Sequence, residues 1–552
     1  MNDICEIYEK TEIGKLGIKY GGESLVIRAF TGAGKTLFIL CDVMKWALNN
    51  GYTLIYTTSL RTAVREVHKK AIALYGQDKV GYVMGLDAFA SPEELVARER
   101  EWRKPIVIST YEQAVRHVMR GGKRDVVVID EYHNVLTEFR KYKLLFLMAV
   151  ARMYNIPVII MSATMPDKDK IAEYLNAKVI DKGSNWDNKD VKTVIVPKYK
   201  PKELIKALRG IVIPRMRIGE RGIVFINSKR LCYELGSAVG IPCVTGDMSE
   251  DVKEEILERL RNNEVTWIIS TSTLAESINE PFDDAVIIVN PLTPPFEITQ
   301  MAGRAGRFGN KAVIYIITTQ TMHKCVDSAL REKYGSITLT KNEYPDLVAA
   351  YAELITNIDD MRKVIAETYG INDDPDEVIK VAKYSNAVNV RGNLITLTNI
   401  GKWMNMYLAK YEEYEVARDC MSINRNPYAA WFCYTLSITG RGFPRLNEEN
   451  RVKHRDALMK LLGYNPFSIQ IAVPPRSVYR GTCGSMNLDV LDIVTTYNIS
   501  LNVGDWLTYI YTGNGKHYAV YYELPYTQRK LMSLGLQFDN AKFTPWFSKN
   551  SE

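Results

Sequence analysis

Lys35 and Thr36 close a glycine-bearing stretch, FTGAGKT (30–36), in a chain of 552 residues. Gly32 and Gly34 let a backbone turn approach phosphate oxygens with no Cβ in the way. The Lys35 ammonium can set a point charge on β and γ phosphates, and the Thr36 hydroxyl can ligate Mg²⁺. A helix opening at this point would aim its N–H groups at the same anion. Thr31, Gly32, Ala33, Gly34, Lys35 and Thr36 are therefore the candidate nucleotide-binding residues. The common phosphate loop carries one more glycine at its start, where this chain has Ala29. At this point that leaves two readings, a damaged nucleotide site or a different kind of nucleotide site.

Three further clusters could complete such chemistry. In VVVIDEYH (126–133) an apolar strand ends in two adjacent carboxylates. Asp130 suits a Mg²⁺ ligand, and Glu131 suits a base that orients and activates the attacking water. Ser162 and Thr164 stand in SAT at another strand end, and QMAGRAGR spans 300–307. Gln300, Arg304 and Arg307 recur at three- and four-residue spacing, so on a helix they share one face. Set across a cleft, that face would place arginines on the γ-phosphate, where they stabilise charge that grows in the transition state. Taken alone, the acidic strand end is a solvent-facing terminus and the arginine run a basic surface helix.

The elements that must hold these groups are legible as periodicity. Short β-branched runs such as SLVIRAF, TLIYTTS, PIVIST, DVVVID and IPVIIMSAT alternate with amphipathic stretches between about 20 and 180. Continuous apolar runs of this length read as buried parallel strands, and the alternation predicts a sheet covered by helices. A second series, GIVFINS, IPCVTG, VTWIIST, DAVIIVN and KAVIYIITT, follows a polar stretch and ends near 320. Beyond about 336 the pattern turns helical, and the last hundred residues are Tyr-, Asn- and Pro-rich and partly β.

Composition agrees with a globular chain, 46% hydrophobic and 24% charged, with net charge +7. From residue 341 onward, 23 basic and 23 acidic side chains cancel, so the excess lies in the first 340 residues. A mild basic excess suits a polyanion partner. Eight cysteines show no C-x-x-C pair, which argues against a zinc module and for a reduced, cytoplasmic protein. No apolar run approaches the length of a membrane span, and no secretion signal opens the sequence.

The ordered series AFTGAGKT, DEYH, SAT, STSTLAESINEP and QMAGRAGR resembles the superfamily 2 DExH-box helicases over roughly residues 20–320. It is most similar to the Ski-type helicases and the related archaeal repair helicases, which also suits an archaeal or archaeal-virus origin. That family writes its first motif A-x-x-G-x-G-K-T, so Ala29 is a family letter.

The resemblance implies an α/β fold: two tandem RecA-like domains with parallel sheets, then a mostly helical, winged-helix-like region and a mixed α+β C-terminal region. The corresponding boundaries are 1–185, 186–335, 336–414 and 415–552. It implies ATP and Mg²⁺ between the first two domains and a nucleic-acid strand, DNA favoured over RNA, across them, with 3′–5′ movement. By motif position Ser59, Arg61, Ser109, Thr110, Asn227, Ser228 and Thr271 would contact the strand, while His133, Ser162 and Thr164 would couple the sites. Read one at a time, such polar groups are more often helix caps or turns. A further reading is an ATP-gated clamp or translocase without robust unwinding.

Two departures bear on that choice. Glu276-Ser277 replaces the family's usual Ala-Gly, and only a short link separates Pro281 from Gln300, where Ski-type relatives insert a strand-splitting hairpin. Residues 415–552 match no known pattern, although DALMKLLGYNPF (456–467) reads as helical and Trp506 and Trp546 could stack on bases.

Overall fold

The computed structural model describes residues 2–59, 61–84, 92–119, 124–136, 140–184, 186–245, 248–271, 282–290, 293–306 and 310–424, with short stretches beyond: 430–431, 433–434, 445–446, 467–472, 496–501, 507–511, 517–521 and 529–537. The chain forms two compact units. One holds the residues up to Leu339 together with Asn357–Asp376, and the other holds Thr340–Thr356 and most of the chain from Glu377.

The first unit contains two parallel sheets, as the alternating pattern predicts. The first sheet comprises β1 (Leu25–Ala29), β2 (Thr53–Thr58), β3 (Val80–Val83), β4 (Ile106–Thr110), β5 (Asp125–Asp130), β6 (Val158–Ser162) and β7 (Lys178–Lys182). Their order is β3-β4-β2-β5-β6-β1-β7, every pair parallel. β2, β4, β5 and β6 are covered on both faces, which is why they read as unbroken apolar runs. Parallel register carries the carboxyl ends of β1, β2, β4, β5 and β6 to one edge, so the loops that follow them gather there.

The second sheet comprises β8 (Lys189–Ile195), β9 (Gly222–Ile226), β10 (Cys243–Val244), β11 (Trp267–Ser270), β12 (Asp284–Ile288) and β13 (Ala312–Thr318). Its order is β10-β11-β9-β12-β13-β8, again all parallel. One face packs Ile223, Phe225, Ile268 and Ile314, and the other packs Val224, Trp267, Val286 and Ile317. Asn227 and Ser228 follow β9, and Thr271 follows β11, at the carboxyl ends where ligands meet such sheets.

The second unit holds the Tyr344–Ala352 helix, a hairpin of β14 (Val388–Arg391) and β15 (Leu394–Leu397), and the helices Asn399–Tyr407 and Tyr411–Ile423. Thr398 caps the first of these two helices, its hydroxyl accepting from the Gly401 amide at 3.1 Å. Strand, Thr cap and amphipathic helix thus occur where NLITLTNIGKWMNMYL places them. Further on, β16 (Arg445–Leu446), β17 (Phe467–Ala472), β18 (Thr496–Leu501), β19 (Leu507–Tyr511) and β20 (His517–Tyr521) make an antiparallel sheet ordered β16-β20-β19-β18-β17. The Tyr-rich segment expected to be partly β supplies β19 and β20. Trp506, Trp546 and residues 456–466 lie outside the described residues.

One expectation is overturned. The cysteines are not reduced: Cys5–Cys41, Cys232–Cys243 and Cys420–Cys433 are disulfides, and Cys325 is bonded as well. The partners lie 36, 11 and 13 residues apart in sequence, and the fold brings each pair of Cα atoms to 5.6–5.7 Å. The absence of C-x-x-C spacing speaks only to local metal or redox motifs, and pairing across elements leaves no such mark. Among the described residues no helix is long and apolar enough to cross a membrane.

Candidate functional site

β1 runs into the 30–34 turn, and a helix follows from Lys35. That helix begins as Lys35–Phe38, passes through a π turn at Ile39–Val43 and continues as Met44–Asn50. Gly32 and Gly34 adopt φ of 92° and 98°, which L side chains rarely reach. A Cβ at Gly34 would also lie 2.2 Å from Thr11 Oγ1. The Lys35 ammonium donates to the carbonyls of Ala29 at 2.6 Å and Phe30 at 3.1 Å, curled back over the loop. Burial pushes its pKa down and nearby Arg304 adds to this, while Glu131 and Asp130 oppose it.

Asp130 ends β5, and Glu131 follows in a left-handed conformation with φ 55°. The Tyr56 phenol donates to Asp130 Oδ2. Burial pushes the Asp130 carboxyl up to about 7, with the Glu131 charge adding, against Tyr56, Lys35 and the Glu131 amide. A buried carboxyl under that pressure is a group a cation would stabilise. Among the described residues no cluster of three or more His, Cys, Asp or Glu could hold a metal alone. Mg²⁺ takes one or two protein oxygens and completes its shell with water and phosphate; Thr36 and Asp130 are the residues expected to supply them. The loop and the carboxylate therefore fit ATP·Mg²⁺.

Glu131 is tuned the other way. Burial would raise its pKa, but the His133 hydrogen bond and the charges of His133, Lys35 and Arg304 bring it down to about 2. His133 Nδ1 lies 3.2 Å from Glu131 Oε2 and 3.1 Å from Ser162 Oγ. Ser162 Oγ accepts from the Thr164 amide at 3.2 Å, and Thr164 Oγ1 accepts from Gln300 Nε2 at 3.5 Å. A chain of contacts thus leads from Glu131 through His133, Ser162 and Thr164 to a helix beside the second sheet. The His133 ring also packs against Phe296 of that helix, centroids 5.6 Å apart.

The arginines do not sit as their spacing predicts. The Pro295–Ala302 helix stops before Arg304, so Gln300 and Arg304 do not share a helical face. Gly303 caps the helix, Ala305 forms a bridge with Phe282, and Gly306 turns the chain at φ 65°. The Arg304 charge nonetheless contributes to lowering the pKa of both Glu131 and Lys35. Arg307, Glu276 and Ser277 lie outside the described residues.

The residues expected to touch nucleic acid fall into two groups. Ser59, Ser109, Thr110 and Thr271 are buried. Ser59 Oγ accepts from Asn134 Nδ2 at 3.2 Å, and the same amide reaches the Glu131 carbonyl at 2.8 Å. The hydroxyls of Ser109 in β4 and Thr58 in β2 are buried with no hydrogen-bond partner among the described residues. Asn227 Nδ2 reaches Thr293 Oγ1 at 3.3 Å and Glu297 Oε2 at 3.1 Å. Ser228 caps the Lys229–Val239 helix, its hydroxyl accepting from Leu231 N. Arg61 opens the Arg61–Tyr75 helix, and its side chain is outside the described residues.

Sequence reasoning missed Tyr56, Tyr111 and Asn134. Tyr111 donates to the carbonyls of Asp130 and Glu131. Asn134 directly follows DEYH and so carried a positional signal, whereas the tyrosines look like ordinary core aromatics.

Comparison with known proteins agrees with this geometry. Residues 15–171 match the DEAD/DEAH box helicase family model, and residues 200–309 match the helicase conserved C-terminal domain. The chain is 25% identical over 351 residues to putative helicase 7 of Sulfolobus islandicus filamentous virus, covering 57% of this chain and 56% of that protein. It is 25% identical over 356 residues to the ATP-dependent DNA helicase Hel308 of Aeropyrum pernix, covering 52% and 46%. Its fold matches the Mycobacterium smegmatis helicase Lhr bound to ssDNA and AMP-PNP, with TM-score 0.51 at 16% identity over 70% of this chain and 58% of that one. The chain spans about half the length of the curated relatives it matches. With the two matched domains lying over the two parallel sheets, and Gln300 Nε2 beside the second sheet reaching Thr164 Oγ1 after the first, the chain carries a DEAD/DEAH box helicase domain followed by a helicase conserved C-terminal domain.

Proposed function

We propose that this protein is an ATP-driven helicase or translocase that moves 3′–5′ on a single nucleic-acid strand, DNA favoured, and acts inside the cell. The single observation that carries this reading is the contact of Gln300 Nε2, on the helix beside the second sheet, with Thr164 Oγ1, after the first sheet, at 3.5 Å. A site completed only when two domains meet couples hydrolysis to their closure. ATP·Mg²⁺, when bound, supplies the phosphoanhydride and the metal charge. Lys35 and the loop amides hold the phosphates, Thr36 and Asp130 hold the metal, and Glu131 takes the proton of the attacking water. Gln300, Arg304 and Arg307 neutralise charge from the far side, and His133, Ser162 and Thr164 relay the closure. Ser59, Arg61, Ser109, Thr110, Asn227, Ser228 and Thr271 line the path of the strand by backbone-directed contacts that position without reading sequence. Domain limits at 185, 335 and 414, with a winged-helix-like third domain, and kinship to the Ski-type branch are part of the same reading. Disulfides do not exclude the cell interior, since intracellular proteins of hyperthermophiles carry them.

One observation favours translocation without robust unwinding. β12 ends at Ile288 and the next helix opens at Pro295, a link too short for an inserted hairpin. Strand displacement on 3′- and 5′-tailed duplexes of DNA and RNA separates the two readings. Displacement from 3′ tails supports a helicase; nucleic-acid-stimulated ATPase without displacement supports the translocase. Lys35→Ala is expected to abolish hydrolysis and Glu131→Gln to bind ATP without turning it over. Undiminished turnover in Lys35→Ala would sink the assignment.

A further inference from the structure

We propose that the segment preceding β1 is a clamp on the phosphate loop, locked by the Cys5–Cys41 disulfide, so that nucleotide affinity follows the state of that bond. The inference rests on the nucleotide-site reading above. Cys5 lies on the Asn2–Glu9 helix, and Cys41 lies in the π turn of the helix that Lys35 opens. Between them the chain makes a tight, fully specified turn. Thr11 Oγ1 donates to the Tyr8 carbonyl at 2.7 Å and accepts from the Gly14 amide at 3.1 Å. A Cβ at Gly14 would lie 1.9 Å from Tyr8 O, so only glycine closes the turn.

That turn presses on the loop at two points. Thr11 fills the space where Gly34 would carry a Cβ. The Ile13 amide donates to the Ala33 carbonyl at 3.0 Å. A trans peptide points its C=O and N–H in opposite directions. Holding the Ala33 carbonyl outward therefore aims the Gly34 amide inward, where a phosphate oxygen would sit. Ile13 is fully buried, and Tyr8 packs on Phe38 of the same helix. A helix of eight residues is marginal alone, so its place depends on the packing of Tyr8 and Ile13 and on the covalent tie. π turns often mark functional sites, and this one carries the tie.

Reduction by a dithiol moves two electrons and two protons: the S–S bond breaks, both sulfurs become thiols, and the reductant closes its own disulfide. The clamp then loses its anchor, and ordering the loop draws on binding energy. Thr11 and Ile13 are positioning residues, since they act through the loop.

The test uses the full chain. Titration of thiols after unfolding without reductant should find Cys5 and Cys41 unreactive. Reduction, or Cys5→Ser/Cys41→Ser, should raise the KM for ATP roughly tenfold with kcat within about twofold. Thr11→Val keeps the bond, removes the hydroxyl from the turn and should shift KM in the same direction. Cys232→Ser/Cys243→Ser removes a disulfide beside the second sheet; it should lower the melting temperature and leave KM unchanged. Amide exchange over 31–38 should rise on reduction with no nucleotide present, and this readout stands even if the protein proves not to hydrolyse ATP. The proposal is overturned by free thiols at Cys5 and Cys41, or by unchanged KM and unchanged exchange once the bond is gone.

Discussion

Glu131 holds a backbone conformation that its side chain does not favour. Its φ of 55° lies in the left-handed region, where a non-glycine residue costs about 1 kcal/mol or more. The turn is over-determined by its surroundings: Tyr111 and Asn134 donate to the Glu131 carbonyl, and its amide donates to Asp130 Oδ1 at 2.8 Å. The strain aims the carboxylate at His133 and the loop. Comparing Glu131→Gly with Glu131→Gln isolates this cost, because both lose the charge and only glycine relieves the backbone. Glycine should be the more stable of the two by about 1 kcal/mol in chemical denaturation, with hydrolysis lost in both. Equal stabilities would mean the turn is unstrained. At this scale the residues proposed to do chemistry, Lys35, Asp130 and Glu131, stand out in the sequence by type and spacing. Tyr56 and Asn134, which contact them, do not: their partners lie 74 and 75 residues away in sequence. Asn134→Ala removes the amide that joins Ser59 to the Glu131 carbonyl and should cost about 1–3 kcal/mol. Thermal melting measures that loss, and the ATPase rate with and without a DNA strand should show weaker stimulation.

Elements explain where spacing misled. Three- and four-residue recurrence in QMAGRAGR describes a helix only if the helix persists, and it ends at Ala302. Strands were legible because burial on both faces leaves an unbroken apolar run, and the carboxyl-edge placement of the loops follows from parallel order alone. The disulfides were illegible, as they join different elements. The Tyr344–Ala352 helix carries a buried group with a measurable consequence. Asp346 Oδ1 accepts from the Tyr411 amide at 2.7 Å, at the start of the Tyr411–Ile423 helix. Burial pushes its carboxyl up to about 7, with Glu343 and Glu413 adding, against the Tyr411 amide and Lys410. An unfolded Asp titrates near 3.9. Between about pH 4 and 7 the folded chain keeps a proton the unfolded chain has lost, so stability falls as pH rises through that window and is level above it. Three units correspond to a loss on the order of 4 kcal/mol for this group. Asp346→Asn removes the ionisation and keeps the acceptor. The variant should match wild type near pH 4 and exceed it at pH 8, and a pH-independent difference in melting temperature would refute the assignment.

At the scale of the molecule, the proposed function depends on two sheets acting on one phosphate. In that reading the first sheet carries the loop, Asp130 for the metal and Glu131 as the base, and the second contributes Gln300 and Arg304. Behind the site Arg28 of β1 pairs with Asp181 at 2.8 Å and with Glu332, beyond the last strand of the second sheet. The halves are thus tethered on one side while the arginine closes the other. Arg304 is the test of this division. In the free protein its charge lowers the pKa of both Glu131 and Lys35. In the transition state it would face the growing charge on the γ-phosphate, where one well-placed donor is worth about 10²–10³ in kcat and an arginine finger up to more. Arg304→Ala should therefore lower kcat at least about 10²-fold while the Kd for ATP changes little. Arg304→Lys should recover only part of the loss, because an ammonium lacks the planar fork of a guanidinium. Single-turnover hydrolysis beside equilibrium ATP binding separates these quantities. If kcat stays within tenfold of wild type, the second sheet does not complete the site, and the coupling of hydrolysis to movement must run through Gln300 and Thr164 instead.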